Sequence, residues 1–96
     1  MSDARPPTSG ARFLLERIRE DGARATYRVS IYTPDAAYAS TAILADDGTI
    51  ELAPTGAPGE LDATLATFAK LTARGAAQRK EDGLPPWPAR VLRWRP

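Results

Sequence analysis

The chain contains no cysteine and no histidine among its 96 residues. Their absence removes disulfides, thiolate nucleophiles, cysteine-ligated zinc and the imidazole that most often serves as general base or metal ligand. An excess of charge of one sign is also missing: the formal net charge is only +1, so any nucleic-acid or anionic-membrane partner must be argued from local clustering. No apolar run approaches the roughly 18 residues needed to span a bilayer. The stretch from Met1 to Gly10 lacks the apolar h-region of a secretory signal. These absences predict a cytoplasmic protein with no membrane partner and no cofactor. Arginine far outnumbers lysine and alanine is abundant, a composition that fits a GC-rich bacterial genome.

What is present is one run of strict alternation, from Arg24 to Tyr32 (RATYRVSIY). Side chains on a strand point alternately to opposite faces, so this run reads as a strand with one core face and one basic face. Residues 1–11 are rich in Pro, Ser and Thr and show no apolar period. They read as a disordered tail, leaving a single domain over 12–96. The string from Arg12 to Glu20 has good helix formers but no 3.6-residue stripe, and it runs into Asp21-Gly22, a hairpin signal. Strand and helix both remain open there, and strand is the reading carried forward.

With Asp21-Gly22 as a two-residue loop, Ile18 pairs with Ala25, Glu16 with Tyr27 and Leu14 with Val29, while Leu15 faces Arg28. Thr33-Pro34-Asp35-Ala36 supplies the next turn and sends Tyr38, Ser40, Ala42 and Leu44 to the core face. A three-residue Asp46-Asp47-Gly48 loop, with Gly48 left-handed, keeps Ile50 and Leu52 on that face, whereas a two-residue loop would turn them away. After a Pro/Gly-rich break a helix follows, with Leu61, Leu65, Phe68, Ala69 and Thr72 on one stripe and Glu60 and Asp62 at its start. Its end lies either at Gly75 or towards Gly83. Leu84-Pro85-Pro86-Trp87-Pro88 must be extended, and Ala89 to Arg95 closes the fold as an edge strand.

The predicted fold class is α+β: a four-stranded antiparallel meander, one helix on its apolar face, and a short C-terminal edge strand. Its predicted core is Leu14, Ile18, Tyr27, Val29, Ile31, Leu44, Ile50, Leu52, Leu61, Leu65 and Phe68.

Two surfaces emerge as candidate binding sites. The first is the sheet face away from the helix, which this register fills with Phe13, Leu15, Arg17, Arg19, Arg24, Arg28 and Tyr32. The second is the C-terminal segment, where Trp87 and Arg93 are the binding candidates and Trp94 is assigned to the core. The segment from Asp46 to Glu51 does not form a calcium loop, because with Gly48 at the sixth position Ile43, Ala45 and Pro54 would have to be ligands. Gly56-Ala57-Pro58-Gly59 follows a strand and is a turn, not a GxxG clamp. No nucleophile stands beside a recognisable base.

The sequence therefore predicts a non-enzymatic interaction domain that binds a protein partner or itself, as a homo-oligomer, with no metal. The alternative is single-stranded nucleic acid on the Arg/aromatic face, where guanidinium groups would meet phosphates and rings would stack on bases. The order of four strands then a helix resembles the repeats of the Pur-alpha and Whirly families of single-strand binders. That likeness is of topology, and it carries no motif residue onto this chain.

Overall fold

A computed structural model describes residues 9–96. The chain forms β1 (Ala11–Glu20), β2 (Arg24–Tyr32), β3 (Ala37–Ala45), β4 (Ile50–Leu52), α1 (Gly59–Glu81) and β5 (Arg90–Arg95). The strands make one antiparallel five-stranded sheet in the order β4-β3-β2-β1-β5, and α1 packs on one of its faces. This is the α+β meander with an added edge strand that the sequence predicts. The tail expected over 1–11 lies, through residue 8, outside the described residues. Ala11 is buried and opens β1.

Arg12 to Glu20 is strand, and β1 has a neighbour on each side, so its backbone groups find ladder partners in both β2 and β5. The first turn differs from expectation. Asp21 N–H donates to Arg24 O at 3.0 Å, so the loop residues are Gly22 and Ala23, with Gly22 at φ 94° in the position that demands positive φ. Moving the turn by one residue moves the partner of Glu20 by two, to Ala25, and a bulge between Arg17 and Arg19 returns one. The net slip of one residue pairs Leu15, not Leu14, with Val29, and turns every β1 side chain before the bulge to the other face.

The core follows from that slip. Phe13 and Leu15 are fully buried beside Ala25, Tyr27, Val29, Ile31, Ala42 and Leu44, and the Phe13 ring meets Phe68 of α1 at 5.3 Å between centroids. Tyr38, Ile50, Leu52, Leu61 and Phe68 pack around the cluster as expected. Leu14 is buried, but on the opposite face of the sheet, and Ile18, predicted to be core, is 59% exposed at the bulge.

The later turns match the sequence arithmetic. Ala45 N–H donates to Thr49 O across a three-residue loop with Gly48 at φ 91°, which keeps Ile50 opposite Leu44 and Leu52 opposite Ala42. Asp47 accepts from the Thr49 hydroxyl and N–H, and these bonds hold its carboxyl below the ordinary carboxylate range.

The helix runs through Gly75 and stops at Gly83. There Gly83 N–H bonds Lys80 O and Leu84 N–H bonds Arg79 O, with Gly83 at φ 77°, which is the Schellman arrangement. At its start Pro58 provides no side-chain cap, and Asp62 in the first turn accepts from the Thr55 hydroxyl at 2.5 Å. The buried positions of α1 are Leu65, Ala69, Ala73 and Ala76. Three small residues let the helix approach closely, and its backbone comes nearest β3 and β4. Over the β1 side the gap is filled instead by Trp87, fully buried from the loop after the helix, whose indole N–H donates to Gly22 O at 3.0 Å.

Candidate functional site

Strand register sorts the expected site residues into two groups. Phe13 and Leu15 belong to the core, not to the open face, because of the one-residue slip. Arg17 also points to the helix side: one guanidinium nitrogen donates to Trp87 O at 2.7 Å and pairs with Glu20 at 3.2 Å. Trp87 is core and Trp94 is 53% exposed, the reverse of the sequence expectation. The reason is local. Prolines on both sides keep Trp87 out of any ladder and let it fold under the sheet end, whereas Trp94 lies on an edge strand, on the face away from α1.

Arg19, Arg24, Arg28 and Tyr32 do lie on the outer face, as expected. The register lays that face out in rows across the strands. Trp94, Arg12, Tyr32 and Ala37 form one row; Leu92, Leu14, Ser30 and Ala39 form the next. Arg90, Glu16, Arg28 and Thr41 make the third, and Arg19, Thr26, Ile43 and Glu51 the fourth, with Arg24 beyond. Arginines thus outnumber the two carboxylates on this face, and one of them, Arg12, is set between an indole and a phenol. Among the described residues no carboxylate comes within ion-pair distance of Arg19 or Arg28. A shallow hollow of about 310 Å³ opens between Tyr32, Glu16 and Arg28 because Ala37 and Ala39 on β3 leave room there.

Arg93 lies on the helix side of β5, opposite Phe13. It borders a second concavity of about 190 Å³ between α1 and the edge strand, lined by Phe68, Leu71, Thr72, Gly75, Val91 and Arg79 among others. No motif in the sequence marks this groove, nor the outer-face positions of Arg12, Arg90 and Trp94. The parity of β5 would have indicated the latter, since its pairing with β1 fixes which side Trp94 takes.

Tyr27 is the buried titratable group of the fold. Burial pushes its phenol up to about 12, against the pull of the Arg17 guanidinium, with a further push from the Glu20 carboxylate and a pull from Arg79. Its hydroxyl donates to Pro88 O at 2.6 Å, so it serves packing. Among the described residues no three carboxylates gather where they could share a metal ion, and no helix is long and apolar enough to cross a membrane. Neither protein-family models, curated proteins nor solved structures gave a match to this chain.

Proposed function

We propose that this is a small non-enzymatic interaction domain that engages a protein partner, or a second copy of itself, through the outer sheet face or the C-terminal edge. The supporting observation is apolar exposure where no described layer covers the sheet: Trp94 is 53% and Ile43 38% exposed on the outer face. Light scattering across concentration tests self-association, and Trp94→Ser and Ile43→Ser should shift any dimer towards monomer. Selection of displayed random peptides on the immobilised chain tests the partner version. A monomer at every concentration that also enriches no peptide would overturn this reading.

Single-stranded nucleic acid on the same face is the second reading. It is favoured by Arg19 and Arg28, which have no ion-pair partner among the described residues, and by Tyr32 and Trp94 flanking Arg12 in one row. Phosphate neutralisation makes affinity fall steeply with salt, so a labelled oligonucleotide bound at about 50 mM salt should weaken severalfold by about 200 mM. Arg19→Ala and Arg28→Ala should weaken it further. No binding at low salt, or binding indifferent to both arginines, removes nucleic acid.

A further inference from the structure

The groove between α1 and β5 follows from how the helix is seated. The backbone of α1 comes nearest β3 and β4, so its opposite flank stands off from β1 and β5. Trp87 fills part of that gap, and the groove of about 190 Å³, lined by the adjoining Pro88, is what remains. Its lining residues on the helix, Phe68, Leu71, Thr72, Gly75 and Arg79, recur at spacings of three and four. They form one stripe that runs about 16 Å along the helix axis.

The stripe changes character along its length. Phe68 stands at the Phe13 end, and Val91, Pro88 and the exposed Leu71 extend the apolar lining. Gly75 leaves the middle open, because a Cβ there would meet nothing within 4 Å. Thr72 has its hydroxyl engaged, donating to Phe68 O at 3.0 Å. At the far end stands Arg79, half-buried, whose Nε donates to Pro85 O at 2.8 Å. That carbonyl takes one donor and leaves the guanidinium charge and its other N–H groups available. No carboxylate lines the groove, and among the described residues none comes within ion-pair distance of Arg79.

The other arginines on this side place their charge elsewhere. Arg93 lines the groove near Phe68, but a guanidinium nitrogen donates to Leu92 O at 2.9 Å. Arg17 N–H donates to Ala89 O, which fixes the ladder phase and turns the Leu92 carbonyl to the open edge of β5. Arg93 therefore offers the groove its methylene stem. Arg95 lies beyond, in the hollow that Glu60 lines at the start of α1. The groove thus has one charged end and an apolar body.

We propose that this groove binds a small straight-chain carboxylate, its head on Arg79 and its hydrocarbon chain laid past Gly75, Leu71 and Val91 to Phe68. A guanidinium presents paired N–H donors that match the two oxygens of a carboxylate. Its half-buried position lessens screening by salt. With no amide and only the engaged Thr72 hydroxyl among the lining side chains, nothing along the body recognises a sugar or a nucleobase. The volume lies below the roughly 300 Å³ at which drug-sized pockets begin, so the ligand is short. This site is on the helix side of the sheet and does not rest on the interaction reading above.

The test uses the full chain and the sodium salts of butanoate, hexanoate, octanoate and decanoate, kept below micelle-forming concentrations. Calorimetry should give octanoate a Kd of about 1 mM or tighter, with affinity rising about twofold to fourfold per methylene until the groove is full. Octanamide, the same chain without the charge, should bind about tenfold more weakly. Arg79→Gln should weaken octanoate about tenfold and Arg93→Gln less than about threefold, while Gly75→Leu, which fills the groove with a better helix former, should abolish binding. Because Arg79 also holds Pro85, amide chemical shifts of the unaltered chain give a separate readout. Octanoate should move Leu71, Gly75, Arg79 and Val91 and leave Thr26, Thr41 and Ile43 of the outer face in place. Absence of binding at about 10 mM octanoate or decanoate overturns the site. So do shifts centred on the outer face, equal affinity for octanamide, undiminished binding by Gly75→Leu, or a larger loss in Arg93→Gln than in Arg79→Gln.

Discussion

The Tyr27 hydroxyl donates to the Pro88 carbonyl at 2.6 Å, joining the middle of β2 to a segment 61 residues further along the chain. That segment is held by side chains because Pro85, Pro86 and Pro88 have no N–H to offer a ladder. Arg79 donates to Pro85 O, Arg17 to Trp87 O and Tyr27 to Pro88 O. Burial raises the Tyr27 phenol from 10.0 to about 12, so the folded chain keeps a proton that the unfolded chain releases in that interval. The associated stability is complete below pH 10 and is lost as the pH climbs towards 12, by about 2 to 3 kcal/mol in all. Tyr27→Phe should cost about 1 kcal/mol at neutral pH and should lack this alkaline loss. Urea midpoints of both proteins from pH 8 to 11.5 check it; parallel alkaline declines would rule out Tyr27 as the source.

Trp87→Phe should destabilise by about 1 to 3 kcal/mol, from lost volume and from Gly22 O left without its indole donor. Trp94→Phe, on the exposed strand, should change stability by less than about 0.5 kcal/mol. Denaturation midpoints compare the two directly. Equal effects would contradict the assignment of Trp87 to the core.

The register of β1 has its own pair of variants. Leu65→Ala empties a fully buried site and should cost about 2 to 5 kcal/mol, whereas Ile18→Ala removes a bulge side chain that is 59% exposed and should cost well under about 1 kcal/mol. A large loss for Ile18→Ala would restore the register without the bulge.

Gly75→Ala should raise stability by about 1 kcal/mol, because a helix interior favours alanine and the added Cβ meets nothing within 4 Å. Thermal unfolding measures this. A lower melting temperature would mean the groove is closed in solution.

The sequence was most legible where side-chain parity had a single solution. Ile50 and Leu52 could reach the core only through a three-residue loop, and that is the loop found. In β1 the parity is degenerate: Phe13, Leu14 and Leu15 are consecutive and apolar, so the pattern allows either face to be the core and does not mark the slip. Bulges leave little trace in a single sequence, and Ile18 gave none. Most of the candidate face survived because it rested on β2, where alternation is strict and Arg24, Arg28 and Tyr32 fall outward. The burial of Trp87 is not legible in the sequence because its segment is held by donors from β1, β2 and α1 that proximity in sequence does not reveal.

Ala11 pairs with Arg95, so the first strand of the sheet is completed by its last. The three hairpins linking β1 to β4 need only short loops to close, whereas the β1–β5 ladder must wait for the helix and the proline segment to be made and returned. A chain emerging from the ribosome thus carries β1 as a temporary border, with Phe13 and Leu15 beside unpaired amides, until about 80 further residues have followed. The wait for β5 to be made and docked sets the interval during which β1 is an open edge. Substitutions that weaken β5 without unfolding the meander would then reduce the yield of soluble protein more than they lower the melting temperature.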